Sequence, residues 1–472
     1  MIRVRFAPSP TGYLHIGGLR TALYNFLYAR QNNGKLILRI EDTDQARLVD
    51  GAVQNLISTL EWSGIEFDEG PHKEKGKFGP YTQSKRLSIY QEHTNLLINN
   101  GNAYPCFYSK ERLNTIKEKD IPSDIITEYD RRYRDLKIDE MFDRMEHENH
   151  VIRLKVPLDG LISINDQIRG DIDFDLSLIQ DQIIIKSDGY PTYHLASVID
   201  DHLMKISHVI RGVEWIPSLP KHSLLYQSFG WELPKFIHLP LLLNEDKSKL
   251  SKRQGDVAVE DYINNGYLKD ALLNFVSLLG WHGSNDKEFY SMDELLDNFS
   301  IDRVKSSGAV FNIQKLKWFN QHYIKNSSDS QLLNSSKKYL PNDWDVTEAM
   351  ISLIKDSIET LSDIKSKLSI FFLYSADINQ NIINNCFDDT IFTLLNEFII
   401  QIEDKKTIMS DDFKSIINKI KSNYNITSNV WKPIRITLTG NEIGPDLSKT
   451  VEILGPSECV NRIKLFVSNH GH

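Results

Sequence analysis

The chain is short of cysteine: Cys106, Cys386 and Cys459 are the three in 472 residues. An odd number spread so far apart argues against a disulfide framework and fits a reducing compartment. No stretch nears the ~20 consecutive apolar residues of a membrane span, and the opening Met-Ile-Arg-Val-Arg-Phe is not an apolar leader. The expectation is a cytoplasmic protein with no membrane partner. An excess of positive charge is also missing, since 55 Lys and Arg face 64 Asp and Glu for a net charge of −9. That excludes a cationic coat for a polymer but not nucleic acid, which binds local basic patches. The first loop lacks Gly-x-Gly-x-x-Gly, which argues against a nicotinamide dehydrogenase. No internal repeat is present. What remains, 40% hydrophobic and 25% charged residues, is the composition of a folded protein, and the length predicts two to four domains.

Val4–Phe6 is a short apolar run ended by Pro8-Ser9-Pro10-Thr11-Gly12, after which Leu19, Ala22, Leu23, Phe26 and Leu27 recur at helical spacing up to Asn33-Gly34. Leu36–Ile40 reads as a second strand. The resulting βαβ unit predicts a parallel sheet with ligands beyond the strands' carboxyl ends, in Pro8–Gly18 and Glu41–Asp44. From about Gly101 to Lys186 the pattern changes to short strands with a charged segment, an insertion after which the apolar runs of the sheet resume. Beyond Glu260, Tyr262–Leu279, Ser352–Leu373, Ile391–Ile402 and Asp412–Ile420 carry helix-like spacing. The predicted class is a Rossmann-type α/β domain split by an α+β insertion, followed by an all-α C-terminal region.

Two segments carry chemistry. His15-Ile-Gly-Gly18 lies between the first strand and the first helix, where Gly17 and Gly18 allow close approach and the helix N-terminus attracts phosphate. Lys247, Lys249, Lys252 and Arg253 crowd a loop that ends at Gly255. Such cations suit phosphoryl or nucleotidyl transfer, which needs charge neutralised and reactants positioned.

Phe6–Gly18 and Lys249-Leu-Ser-Lys-Arg253 together resemble the two signatures of class I aminoacyl-tRNA synthetases. Within that class, Arg39–Asp44, Gly189–Ala196, Ile199-Asp-Asp201, Val209–Gly212 and Trp431–Gly440 are similar to bacterial glutamyl-tRNA synthetases, in order along nearly the whole chain. The resemblance implies a ligase that activates L-glutamate with ATP and Mg²⁺ and transfers it to the terminal adenosine of tRNA(Glu); tRNA(Gln) stays open. It implies catalytic His15 and Lys252, and ATP on His15, Gly17, Gly18, Lys249 and Lys252. Glutamate would lie on Arg5, Ser9, Glu41, Tyr193 and Arg211, with Glu41 taking the ammonium and the two arginines the side-chain carboxylate. Asp44 and Arg47 would meet the tRNA acceptor end. The family suggests a monomer without DNA as a partner. The implied division is a catalytic domain in halves 1–100 and 188–255, an acceptor-end insertion 101–187, a stem-contact helical domain 256–324 and an anticodon-binding domain 325–472. The alternative is a non-catalytic or differently specific tRNA-binding paralogue, which would be expected to have lost His15, Glu41 or Lys252. Ser197 and Val213 depart from the family pattern and receive no role. Some members hold zinc in the insertion through a Cys-x-Cys and a Cys-x-His pair; here the first reads Cys106-Phe107-Tyr108 and the second, near Tyr129–Arg134, has neither cysteine nor histidine. The expectation is therefore a zinc-free enzyme, whose insertion is held by an aromatic cluster of Phe107, Tyr108, Tyr129 and Tyr133.

Overall fold

The computed structural model describes residues 1–73, 77–108, 131–250 and 258–471. It divides the chain into two compact units, Met1–Tyr262 with Leu273–Asn312, and Ile263–Leu272 with Ile313–His472. The expected insertion lies inside the first unit, and the expected segment 256–324 contributes to both. No described helix is long and apolar enough to cross a membrane.

In the first unit, β1 (Arg3–Phe6) and β2 (Lys35–Leu38) are parallel, with Arg3 opposite Lys35 and Phe6 opposite Leu38, joined by α1 (Ile16–Gln31). All four residues of β1 are buried, as expected of a parallel strand covered on both faces. Alternation puts Val4 and Phe6 on one face and Arg3 and Arg5 on the other, so both arginines need buried acids. The helices α2 (Ala52–Ser63) and α3 (Leu87–Asn99) follow. The insertion contains β3 (Ala103–Cys106), α4 (Ile138–His147), β4 (Val151–Leu154), β5 (Leu161–Asp166), β6 (Gly170–Asp175) and β7 (Ile183–Ile185). Strands β3, β4 and β7 form an antiparallel sheet. After α5 (Tyr193–Leu203), β8 (His208–Gly212), α6 (Leu219–Phe229) and β9 (Lys235–Leu239) restore parallel pairing. The sequence reading treats the insertion as a separate block, whereas the β5–β6 hairpin joins the resumed sheet: β5 meets β9 in parallel at Asp166 and Phe236. Ser207 donates its N–H to the Arg3 carbonyl, which sets β8 beside β1.

The aromatic cluster expected in the insertion forms among its described members. Tyr133 packs edge-on against Phe107 at 5.4 Å and against Tyr108 at 5.3 Å, and the Arg144 guanidinium lies 4.1 Å from the Phe107 ring. Tyr129 lies outside the described residues. No group of three His, Cys, Asp or Glu side chains converges among the described residues.

In the second unit every element from Ile313 onward is helical. Helices Asp389–Ile402, Ser410–Asn423, Trp431–Thr439 and Leu447–His470 enclose a core that includes Phe398, Phe413 and Phe466. Two expected helices break. Tyr262–Leu279 becomes Val259–Asn264 and Lys269–Ser277, because the chain turns at Gly266, whose φ of +84° and 2.6 Å spacing from a Cβ position to the Ser362 nitrogen admit only glycine. Ser352–Leu373 divides into Glu348–Ile354 and Asp363–Phe372, and the Asp363 carboxylate accepts from the N–H groups of Glu359 and Thr360, which ties down the turn before the second helix.

Candidate active site

A cleft of about 620 Å³ opens at the carboxyl ends of β1, β2 and β8, where an α/β sheet places ligands. It is lined by Arg5, Ser9, His15, Gly17, Gly18, Glu41, Arg47, Tyr193, Arg211 and Lys249, ten of the residues singled out from the sequence. Asp44 reaches it through Arg47, whose Nε donates to the Asp44 carboxylate at 2.5 Å on the exposed rim. Lys252 lies outside the described residues.

At the start of α1, His15 is the N-cap, and its Nδ1 accepts the Gly18 N–H at 3.1 Å. The acceptor role of Nδ1 puts the ring proton on Nε2, so the residue that caps the helix also presents an N–H donor. A Cβ on Gly17 would stand 3.0 Å from the His15 ring, so the glycine lets the imidazole lie against the helix. The exposed Lys249 follows β10 (Leu242–Leu243), bridging to Leu243. The cleft thus has a helix N-terminus, an imidazole and an ammonium at one end, a set suited to a polyphosphate.

The other end is built on buried ion pairs. Arg5, 3% exposed, does not face solvent; its Nε and Nη2 donate to the two oxygens of Asp201 at 3.0 and 3.3 Å. Arg39 donates from Nη1 to the same carboxylate at 2.7 Å and from Nη2 to Glu41 at 2.9 Å. Burial works against Asp201's charge, but the two guanidiniums overcome it and hold the carboxyl below its ordinary range. Burial raises the Glu41 carboxyl despite Arg39 and Arg5. Ser197, given no role in the sequence reading, is fully buried and its Oγ accepts from Arg39 at 3.4 Å. Val213 opens the short 3-10 turn Val213–Ser218 that carries Glu214 and Trp215 to the cleft.

Arg211 differs from the other two arginines. It is 5% exposed, yet among the described residues no carboxylate is hydrogen-bonded to it. Its Nε donates to His238 Nε2 at 3.0 Å and its Nη1 to the Tyr193 hydroxyl at 2.9 Å, while Nη2 reaches the Trp215 carbonyl only at 3.4 Å. His222, pushed well below the usual imidazole range by burial and by Arg211, lies 3.2 Å from His194 and 3.5 Å from Arg211. A buried cation held by neutral groups leaves its charge for a ligand anion. Arg39, Asp201, His222 and His238 carry no role in the sequence reading. For Arg39 and His238 the signal is a polar residue inside an apolar run, which announces a partner without saying where in the chain it lies; Asp201, between Asp200 and His202, and His222, between Lys221 and Ser223, carry no such signal.

Residues 1–318 match the family model described as tRNA synthetases class I (E and Q), catalytic domain, and residues 316–467 match an anticodon-binding domain. The glutamate–tRNA ligase of Alkaliphilus metalliredigens is 42% identical over 489 residues and covers 99% of each chain. That of Chloroherpeton thalassium is 44% identical over 495 residues, spanning 98% of this chain and 97% of its own. Among solved structures, a glutamate tRNA ligase from Elizabethkingia meningosepticum in complex with its amino acid matches with a TM-score of 0.92, 36% identity and 99% of each chain covered.

Proposed function

The chain belongs to the class I tRNA synthetases of the glutamate and glutamine group, and from that premise we propose that it attaches L-glutamate to tRNA(Glu) in two steps. In the first, a carboxylate oxygen of glutamate attacks the α-phosphorus of ATP, glutamyl-adenylate forms and pyrophosphate leaves. In the second, a ribose hydroxyl of the terminal adenosine attacks the acyl carbon and AMP leaves. Neither step needs a covalent enzyme intermediate, so positioning and charge neutralisation supply the rate. His15, Gly17, Gly18 and Lys249 hold the triphosphate, and Lys252 steadies the charge that builds on the α-phosphate. Arg5, Ser9, Glu41, Tyr193 and Arg211 receive glutamate. Mg²⁺ would supply further neutralisation of the triphosphate charge; among the described residues the carboxylates lining the cleft are Glu41 and Glu214, of which the exposed Glu214 would be the one able to hold the ion. Asp44 and Arg47 meet the acceptor end, segment 256–324 contacts the stem, the helices of segment 325–472 read the anticodon, and the enzyme works as a cytoplasmic monomer.

The observation that supports this reading most is the buried Arg211, to which no carboxylate among the described residues is hydrogen-bonded, in the same cleft as the phosphate-binding end. Glutamate brings the missing carboxylate, whereas glutamine leaves the guanidinium facing an amide, a mismatch that rejects strongly when water is excluded. The test is aminoacylation of each purified tRNA isoacceptor with labelled glutamate and, separately, labelled glutamine. Charging of tRNA(Glu) with glutamate alone is expected, and charging with glutamine at a comparable rate would sink the assignment. The same assay on tRNA(Gln) decides whether that tRNA is a second substrate.

A further inference from the structure

Arg211 is oriented by a chain of buried groups that starts on a strand of the insertion. His238 in β9 is fully buried and Asp166, the last residue of β5, is 1% exposed. One Asp166 oxygen accepts the His238 backbone N–H at 2.9 Å and lies 2.8 Å from His238 Nδ1; the other accepts the N–H groups of Ile168 and Arg169. On its other side, His238 Nε2 stands 3.0 Å from Arg211 Nε.

The direction of each bond follows from what the groups can do. A guanidinium only donates, so Nε2 must accept; a neutral imidazole that accepts at Nε2 carries its proton on Nδ1, and there the Asp166 carboxylate receives it. Burial lowers the imidazole below its ordinary range, with Arg211 and Arg169 adding to the effect and Asp166 opposing it, so the ring is neutral. A neutral acceptor fixes the guanidinium plane without cancelling its charge. Had a carboxylate stood in the position of His238, Arg211 would be held equally well but its charge would be spent before the substrate arrived.

We propose that Asp166 and His238 are positioning residues for amino-acid recognition: Asp166 fixes the tautomer of His238, and His238 holds Arg211 in the plane that takes the side-chain carboxylate of glutamate. This rests on the reading of Arg211 given above. Because Asp166 ends a strand of the insertion, the segment that begins near residue 101 contributes directly to the selectivity of the pocket.

The experiment is steady-state aminoacylation by the full-length enzyme, with KM measured separately for glutamate and for ATP and thermal unfolding followed in parallel. His238→Leu, which removes the acceptor, is expected to raise KM for glutamate at least ~10-fold, as a misplaced binding group does, and to leave KM for ATP within about twofold. His238→Gln can place a side-chain oxygen near the position of Nε2 and should recover most of the loss. The double variant His238→Leu with Arg211→Ala should be no worse than Arg211→Ala alone, because a residue acting through Arg211 has nothing left to act on. The proposal is overturned by equal defects in the Leu and Gln variants, by parallel rises in both KM values, or by additive losses in the double variant. If Arg211→Ala leaves KM for glutamate unchanged, the reading of Arg211 fails. If Arg211→Ala raises it while His238→Leu is silent, only the relay fails. Should His238→Leu not fold, the ¹⁵N spectrum of histidine-labelled wild-type enzyme, assigned by the signal lost in His238→Gln, decides: a neutral ring protonated at Nδ1 supports the relay, and a charged ring or one protonated at Nε2 overturns it.

Discussion

Asp201 holds two buried guanidiniums, Arg5 and Arg39, with one carboxylate, so its loss unbalances both. Changing it to asparagine keeps the shape but takes from Arg5 its bidentate partner and leaves Arg39 to Glu41 at 2.9 Å and to Asp200 at 3.8 Å. Removing one partner from a buried ion pair costs about 3–5 kcal/mol, so Asp201→Asn is expected to lower the denaturant midpoint sharply; a midpoint within error of wild type would show that water reaches the pair. Lys252→Ala should behave in the opposite way, with stability and tRNA affinity near wild type and the rate of glutamate activation lowered at least ~10²-fold, equivalent to ~2.7 kcal/mol of transition-state stabilisation. A parallel collapse of tRNA affinity would turn that lysine into a binding contact. Both predictions mark what the sequence could reveal about the site. Glu41 and Arg211 stand in motifs with a chemical meaning, Arg5 directly precedes one, and all three line the cleft. Asp201 and Arg39 also stand in quoted motifs, yet they are 162 residues apart, and nothing in a linear pattern tells which buried charge answers which.

At the level of elements, the short strands, the first helix and the all-helical region after Ile313 were legible because apolar spacing reports burial directly. The breaks at Gly266 and before Asp363 were not, since a periodic pattern carries across a turn that is fixed by a contact nearly a hundred residues away or by a single carboxylate bonded to the residues before it. The turn into α1 gives a test at this scale. Gly17→Ala would press a methyl group against the His15 ring, 3.0 Å away, and is expected to raise KM for ATP severalfold while leaving KM for glutamate near wild type; equal effects on both would show that the ring is not displaced. In the insertion, Tyr133 joins Phe107 and Tyr108, and Tyr133→Ala should destabilise the enzyme by about 1–2 kcal/mol. Prolonged chelation followed by restored Mg²⁺ should leave activity intact, and one tightly held zinc per chain in elemental analysis would contradict this account of the insertion.

Over the whole molecule, buried imidazoles make acid the weak side. Histidines in the unfolded chain titrate near 6.5, whereas burial holds His194 and His208 down to about 4 and His222 well below its ordinary value. Between those limits the unfolded chain binds protons that the folded one refuses, so stability is full above pH ~6.5 and falls as pH drops toward 4. Asp201, whose folded value is depressed, adds its own loss only at lower pH, below the usual range of an aspartate; Glu41, raised by burial, works the other way. Calorimetry is expected to show a lower unfolding temperature at pH 5 than at pH 7, and a flat profile over that interval would mean that these rings are already charged in the folded state. The pairing of β5 with β9 bears on how such a chain can be recombined. Segment 101–187 looks from the sequence like a cassette that could be exchanged between relatives at its two ends. Because its β5–β6 hairpin extends the host sheet beside β9 and Asp166 at the end of β5 is bonded to His238, a chimera joined at those ends is expected to need β9 from the same parent as β5 if its pocket is to sort amino acids.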